Sequence, residues 1–218
     1  NIILLVSDGM STGTLNMTDL FLNRKTGKGS NWIQLYKDNR VSRALMDTAS
    51  ASSIVTDSSA ASSSWGGGFR VNNGALNVSP TGEPHLPIWQ KFKKSGKMAG
   101  CVTTVPITHA TPAGFCVNSK SRNAQEDIAE QYLELGFDIM MGGGANYFSP
   151  ELRKDKKDMY AAFKSKGYQV VKTKSEMEAA SNSQPVLGVF SDDAVPYYVD
   201  RNSDDNLKKT IPSLAEMS

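Results

Sequence analysis

The sequence predicts an α/β fold: a largely parallel central sheet with helices on both faces, a three-layer α/β/α sandwich. Three observations carry this expectation. Short continuous apolar runs recur along the chain, the pattern of strands buried on both faces. Helix-like segments alternate with these runs at least four times, as in βα repeats. The 218 residues, 39% of them hydrophobic, suffice for a sizeable core.

Each element follows from its own stretch. The opening "IILLV" (residues 2–6) is β-branched-rich and ends in Ser-Asp-Gly, so it reads as a buried strand delivering Asp8 to a loop at its carboxyl end. "LPIWQKFKKSG" reads as a helix stopped by Gly96, and "MAGCVTTV" as the strand after it. "NAQEDIAEQYLELG" and "FDIMMGGG" repeat the pair, then "PELRKDKKDMYAAFKSK" with "GYQVV", then "KSEMEAAS" with "PVLGVF". "FRVNNGALNVSPTGEP" reads as irregular or hairpin-like, with turns at Asn-Gly and Pro-Thr-Gly. The glycine triplets at 66–68 and 142–144 lack the Lys-Ser or Lys-Thr of a phosphate loop and read as backbone turns. The acidic "SDDAVPYYVDRNSDD" lacks the spacing of a calcium loop and reads as a solvated loop.

Charge and composition exclude several functions. The 24 basic and 22 acidic residues are interspersed, so no basic face for nucleic acid is expected. The apolar runs fall far short of the ~20 residues of a membrane span. Cys101 and Cys116 are too few for a disulfide framework, and whether they pair stays open. Asn1 leads directly into an apolar run without a signal-peptide n-region, so the chain is expected to be a mature or trimmed form.

The chemistry concentrates in "SIVTDSSAASSSWGGG" (residues 53–68). Its serines give it the composition of a linker. However, small residues after Asp57-Ser58 suit the first turns of a helix, with Asp57 or Ser58 near the cap. Ser58 then reads either as an ordinary N-cap or as a hydroxyl in a place that favours an anion. Asp8 reads either as a turn residue or as a carboxylate at a strand end. A strand-end carboxylate together with a helix-start serine is what metal-assisted phosphoryl transfer requires.

These motifs resemble the alkaline phosphatase family. "NIILLVSDGM" is similar to the family's strand-plus-DGM opening and "VTDSSAAS" to its nucleophile signature. "NNGALNV", "THATPAGF", "MMGGGANYF" and "TIPSLAEMS" then resemble further family segments in order, across essentially the whole chain. The resemblance implies an alkaline phosphatase-like fold and hydrolysis of phosphomonoesters through a phosphoserine intermediate. It implies that Ser58 is the nucleophile and a zinc ligand, that Arg122 grips the phosphate, and that Asp57 helps hold Arg122. Asp8 is implied to bridge a zinc and the magnesium, and Thr111 to be the magnesium-ligand hydroxyl. His109 matches a branch of the family that uses histidine near the third metal site, as a direct ligand or at one remove. Two Zn2+ sites, one Mg2+ site, a homodimer for the complete enzyme and a periplasmic or extracellular location are likewise implied.

A catalytic zinc takes about three protein ligands, and this chain has only two histidines, His85 and His109. His85, in "TGEPHLP", reads as an exposed loop residue. Residues 1–218 are therefore read as the N-terminal portion of a single, incomplete alkaline phosphatase-like domain whose C-terminal half supplies most zinc ligands, and the chain alone is expected to be inactive. The alternatives are a phosphodiesterase or mutase of the same superfamily, or a non-catalytic phosphate-binding module.

Overall fold

The computed structural model describes residues 1–218, which fall into two compact units, residues 1–47 and 48–218. In the first, α1 (Thr12–Thr26) starts at Ser11, whose Oγ accepts from Thr14 N at 3.2 Å, and ends at Gly27 with φ 73°. Helix α2 (Asn31–Lys37) is capped by Ser30, and the Ser30 N–H donates to Asp19 of α1 at 2.6 Å. Residues 2–6 form no strand here: Ile2 and Ile3 are 83% and 84% exposed. This corrects the expectation of a buried first strand. Apolar, β-branched composition favours an extended backbone, but a strand exists only where a neighbouring strand takes its N–H and C=O groups.

In the second unit the predicted alternation appears. After α3 (Ser58–Gly67) and α4 (Ile88–Lys94) come β1 (Gly100–Pro106), α5 (Ala110–Ala113), α6 (Gln125–Leu135), β2 (Ile139–Gly143), α7 (Met159–Ser165), β3 (Gln169–Val171), α8 (Lys174–Glu178) and β4 (Val186–Val189). The sheet order is β1-β2-β4-β3 and every pair is parallel, with Met140 beside Leu187 and Leu187 beside Val170. Alternate strand residues feed two separate cores. Met140, Leu187 and Val189 pack with Ile128, Ala129 and Tyr132 of α6 and Phe163 of α7. Met141, Val171 and Val186 pack with Met217, Met177 and Ile211 on the opposite face. Helices cover both faces, which gives the three layers.

Three local expectations change. The helix expected from "PELRKDKKDMYAAFKSK" begins only at Met159, because Asp158 caps it by accepting from Ala161 N at 2.9 Å. The fully buried Arg153 upstream is held out of helix by bonds to Asp155, Glu130 and the Tyr147 carbonyl. The acidic stretch expected as a loop folds into α9 (Tyr198–Ser203) and the start of α10 (Asp205–Thr210). Arg201 of α9 is buried and reaches Glu216 in α11 (Leu214–Met217) at 2.6 Å. Within the glycine triplets, only Gly68 and Gly144 turn the chain, with φ 79° and 108°. Gly66 and Gly67 end α3, and Gly142 and Gly143 end β2.

Both thiols are free, and burial pushes the Cys101 thiol up to about 12. No helix is long and apolar enough to cross a membrane.

Candidate active site

Asp57 is the N-cap of α3, with Oδ1 accepting from Ala60 N at 2.9 Å. Ser58 is thereby the first helical residue and is half-buried, whereas Ser59 is fully buried. The two serines differ sharply in surroundings. The Ser59 hydroxyl donates to both Asp57 oxygens at 2.8 Å and accepts from Gly74 N at 3.0 Å. Asp57 Oδ2 also accepts from Gly74 N at 2.9 Å and from Arg122 Nη1 at 3.2 Å. Burial alone pushes the Asp57 carboxyl up, but the donors from Ala60, Ser59, Gly74 and Arg122 outweigh it and hold it below its ordinary value.

The later serines of the stretch bury α3 against its neighbours. Ser62 Oγ donates to the Ala110 carbonyl of α5 at 2.9 Å, and Ser63 Oγ accepts from Asn77 N at 2.9 Å. Gly66 lets the two backbones approach, since a Cβ there would lie 2.6 Å from the Gly114 carbonyl oxygen. The loop after α3 is docked by Asn77, whose side chain donates to the carbonyls of Gly114 and Val117. Its hairpin-like part pairs Val78 with Pro84. His85, expected to be exposed, is half-buried and stacks on Phe69 with ring centroids 3.8 Å apart.

The carboxyl end of β1 supplies the opposite side, as parallel α/β sheets place their sites. His109 caps α5, and Thr111 lies within that helix. Arg122 Nη2 lies 3.1 Å from His109 Nε2. A guanidinium can only donate, so Nε2 offers its lone pair to the arginine. The Arg122 backbone N–H donates to the Gly74 carbonyl at 2.7 Å, which fixes the arginine's loop to the loop that touches Asp57. Structure thus joins Asp57, Arg122 and His109 in one chain of contacts, with Ser58 beside Asp57 in sequence. Asp8 belongs to the other unit, in an exposed turn where Gly9 has φ 70°.

Residues that sequence reasoning missed complete the site. Ser59, Asn73 and Gly74 bind Asp57 from three directions, Asn73 Oδ1 by accepting from Asp57 N at 3.0 Å. Their signal in the sequence was the Asn-Gly turn, read only as a turn. Beyond β1, Thr108 donates to Gln125 at 2.9 Å, and Gln125 donates to the Tyr147 hydroxyl at 2.8 Å.

The metal donors present do not form a cage by themselves. No three His, Cys, Asp or Glu side chains gather closely enough to hold an ion. The Asp57 oxygens are taken up by donors, and the His109 Nε2 lone pair faces a cation.

The family model for alkaline phosphatase matches residues 1–218, the whole chain. The chain belongs to the alkaline phosphatase family. The Schizosaccharomyces pombe alkaline phosphatase is 33% identical over 99% of this chain and 41% of its own length. The crystal structure of the Thermus thermophilus alkaline phosphatase superposes with a TM-score of 0.88 at 42% identity, covering 96% of this chain and 43% of that one. A variant of TAB5 alkaline phosphatase with Mg bound in its M3 site superposes at 0.68, with 26% identity over 83% of this chain and 51% of that one. The chain thus spans about half the length, or less, of the alkaline phosphatases it matches.

Proposed function

We propose that this chain carries the nucleophile and the phosphate clamp of an alkaline phosphatase, and that the complete protein hydrolyses phosphomonoesters through a phosphoserine on Ser58. The observation that carries this reading is the division of roles across three consecutive residues. Asp57 caps the helix and receives Arg122, Ser59 is buried beneath Asp57, and of the two serines only Ser58 is partly exposed at the helix start. That position favours an anion, because the first backbone N–H groups of α3 and its dipole point outward there. Ser58 Oγ forms the bond to phosphorus as the ester oxygen leaves, and water then releases phosphate from the serine.

Arg122 is preset for the transferred group. A guanidinium has five N–H donors, and the contacts to Asp57 and His109 use two of them. The remaining donors suit bidentate binding of two phosphate oxygens, which a lysine could not provide. Bound Zn2+ and Mg2+ supply a stabilised alkoxide and an activated water in such chemistry. In the second unit Ser58 and Thr111 would be donors toward the two zinc ions and one magnesium, with His109 a direct ligand or at one remove; Asp8, in the first unit, is assigned to the metals by the family resemblance alone. Ligands from outside these residues complete the cage, so the 218 residues alone are inactive. The same reading carries a homodimer and a periplasmic or extracellular location for the complete enzyme.

The test is to react the complete protein with a labelled aryl phosphate and quench at acidic pH. Label on the peptide bearing Ser58, and its loss in Ser58→Ala, is the expected result. Label that persists in Ser58→Ala would place the nucleophile elsewhere.

A further inference from the structure

We propose that Asn73-Gly74 is a latent self-modification site, held unreactive by the Asp57 cap, whose conversion to aspartate or isoaspartate disables the Arg122 clamp. The chain has a single Asn-Gly pair, the dipeptide in which the next backbone nitrogen attacks the side-chain amide most readily because glycine has no side chain to obstruct it. In that reaction Gly74 N bonds to Asn73 Cγ, the bond from Cγ to the amide nitrogen breaks, and ammonia leaves with the former Gly74 N–H proton. Water then opens the resulting succinimide at either carbonyl. Asn73 is exposed, so water is at hand.

Every group that must move for ring closure is tied down. The attacking nitrogen donates to Asp57 Oδ2 at 2.9 Å and to Ser59 Oγ at 3.0 Å. Losing its proton beside a carboxylate is disfavoured. The amide is held at both ends: Nδ2 donates to the Val55 carbonyl at 2.9 Å and Oδ1 accepts from Asp57 N at 3.0 Å. The Asn73 backbone N–H donates to Ser52 Oγ at 3.1 Å. The reaction therefore waits for local opening of the cap.

The products damage the same network. A carboxylate at position 73 has no hydrogen to give the Val55 carbonyl and faces it with negative charge. Isoaspartate also inserts a methylene into the main chain immediately before Gly74 N, drawing that N–H off Asp57, the residue that Arg122 Nη1 contacts. That Arg122 grips phosphate rests on the function proposed above, while the chemistry at Asn73 does not.

The experiment uses the 218-residue chain and needs no turnover. In mildly alkaline buffer, the amide-to-acid mass change of the peptide bearing Asn73 is followed with and without urea, and isoaspartate is scored by enzymatic methylation. Native chain should convert slower than unfolded chain by about tenfold or more, with Ser59→Ala between the two. Sub-denaturing urea should accelerate conversion even if that variant folds poorly. Equal rates in native and unfolded chain, or no conversion at Asn73 when unfolded, would overturn the proposal. As a product mimic, Asn73→Asp should speed hydrogen exchange of the Gly74 amide that donates to Asp57 Oδ2, and unchanged protection of that amide would overturn the damage it assigns.

Discussion

At the scale of single residues, the distinction between Ser58 and Ser59 decides most. Both are serines in a run of small residues, yet one hydroxyl is enclosed by Asp57 and Gly74 and the other sits at the helix start. Ser59→Ala removes a donor from a charged acceptor and should cost about 1.5–3 kcal/mol. It also shifts a pH dependence. Asp57 titrates below its ordinary value of 3.8, so its contribution to stability is present above that pH and is lost as pH falls through the lower, folded value. Without the Ser59 hydroxyl the folded value rises and the contribution shrinks. Melting curves taken across this acid range should show Ser59→Ala losing less stability on acidification than the wild type, from a lower starting point; parallel curves would refute the assignment.

At the scale of elements, helix α3 is held by close approach rather than by a large apolar face. Glycine in a helix ordinarily costs about 1 kcal/mol relative to alanine, so Gly66→Ala would stabilise an isolated helix. Here the new Cβ would lie 2.6 Å from the Gly114 carbonyl oxygen and 2.7 Å from Phe115 Cα, and neither backbone atom can swing aside. The substitution should lower stability by about 1–3 kcal/mol, and a thermal melt at or above that of the wild type would contradict this packing. On the thinner face of the sheet, Glu216 gathers α8, α9 and α11. Hydrogen bonds from Lys174 and the Ser213 backbone, with Arg201 nearby, depress its carboxyl to about 2. Because that value is depressed from 4.5, the stabilisation holds above pH 4.5 and fades as pH falls toward 2. Glu216→Gln should flatten this part of the acid-melting profile.

At the scale of the molecule, the chain holds the proposed nucleophile Ser58 and the proposed clamp Arg122 but no set of three metal ligands. With added zinc and magnesium, the 218 residues should show little or no turnover of an aryl phosphate, and robust turnover in a steady-state assay would show that the cage closes without further chain. The sequence by itself determined the four parallel strands and their intervening helices, because buried strands and helix stops are written in local runs and in glycines such as Gly96 and Gly136. It also determined the family, since those motifs are contiguous, and it singled out Ser58 as the nucleophile to be tested. Tertiary structure alone decided which hydroxyl is enclosed, that Asn73 and Gly74 brace Asp57, that Arg153 halts a helix, and that residues 2–6 form no strand. Each of those outcomes depends on partners brought together by folding from distant parts of the chain, and a run of residues carries its own propensity but not the identity of its partners.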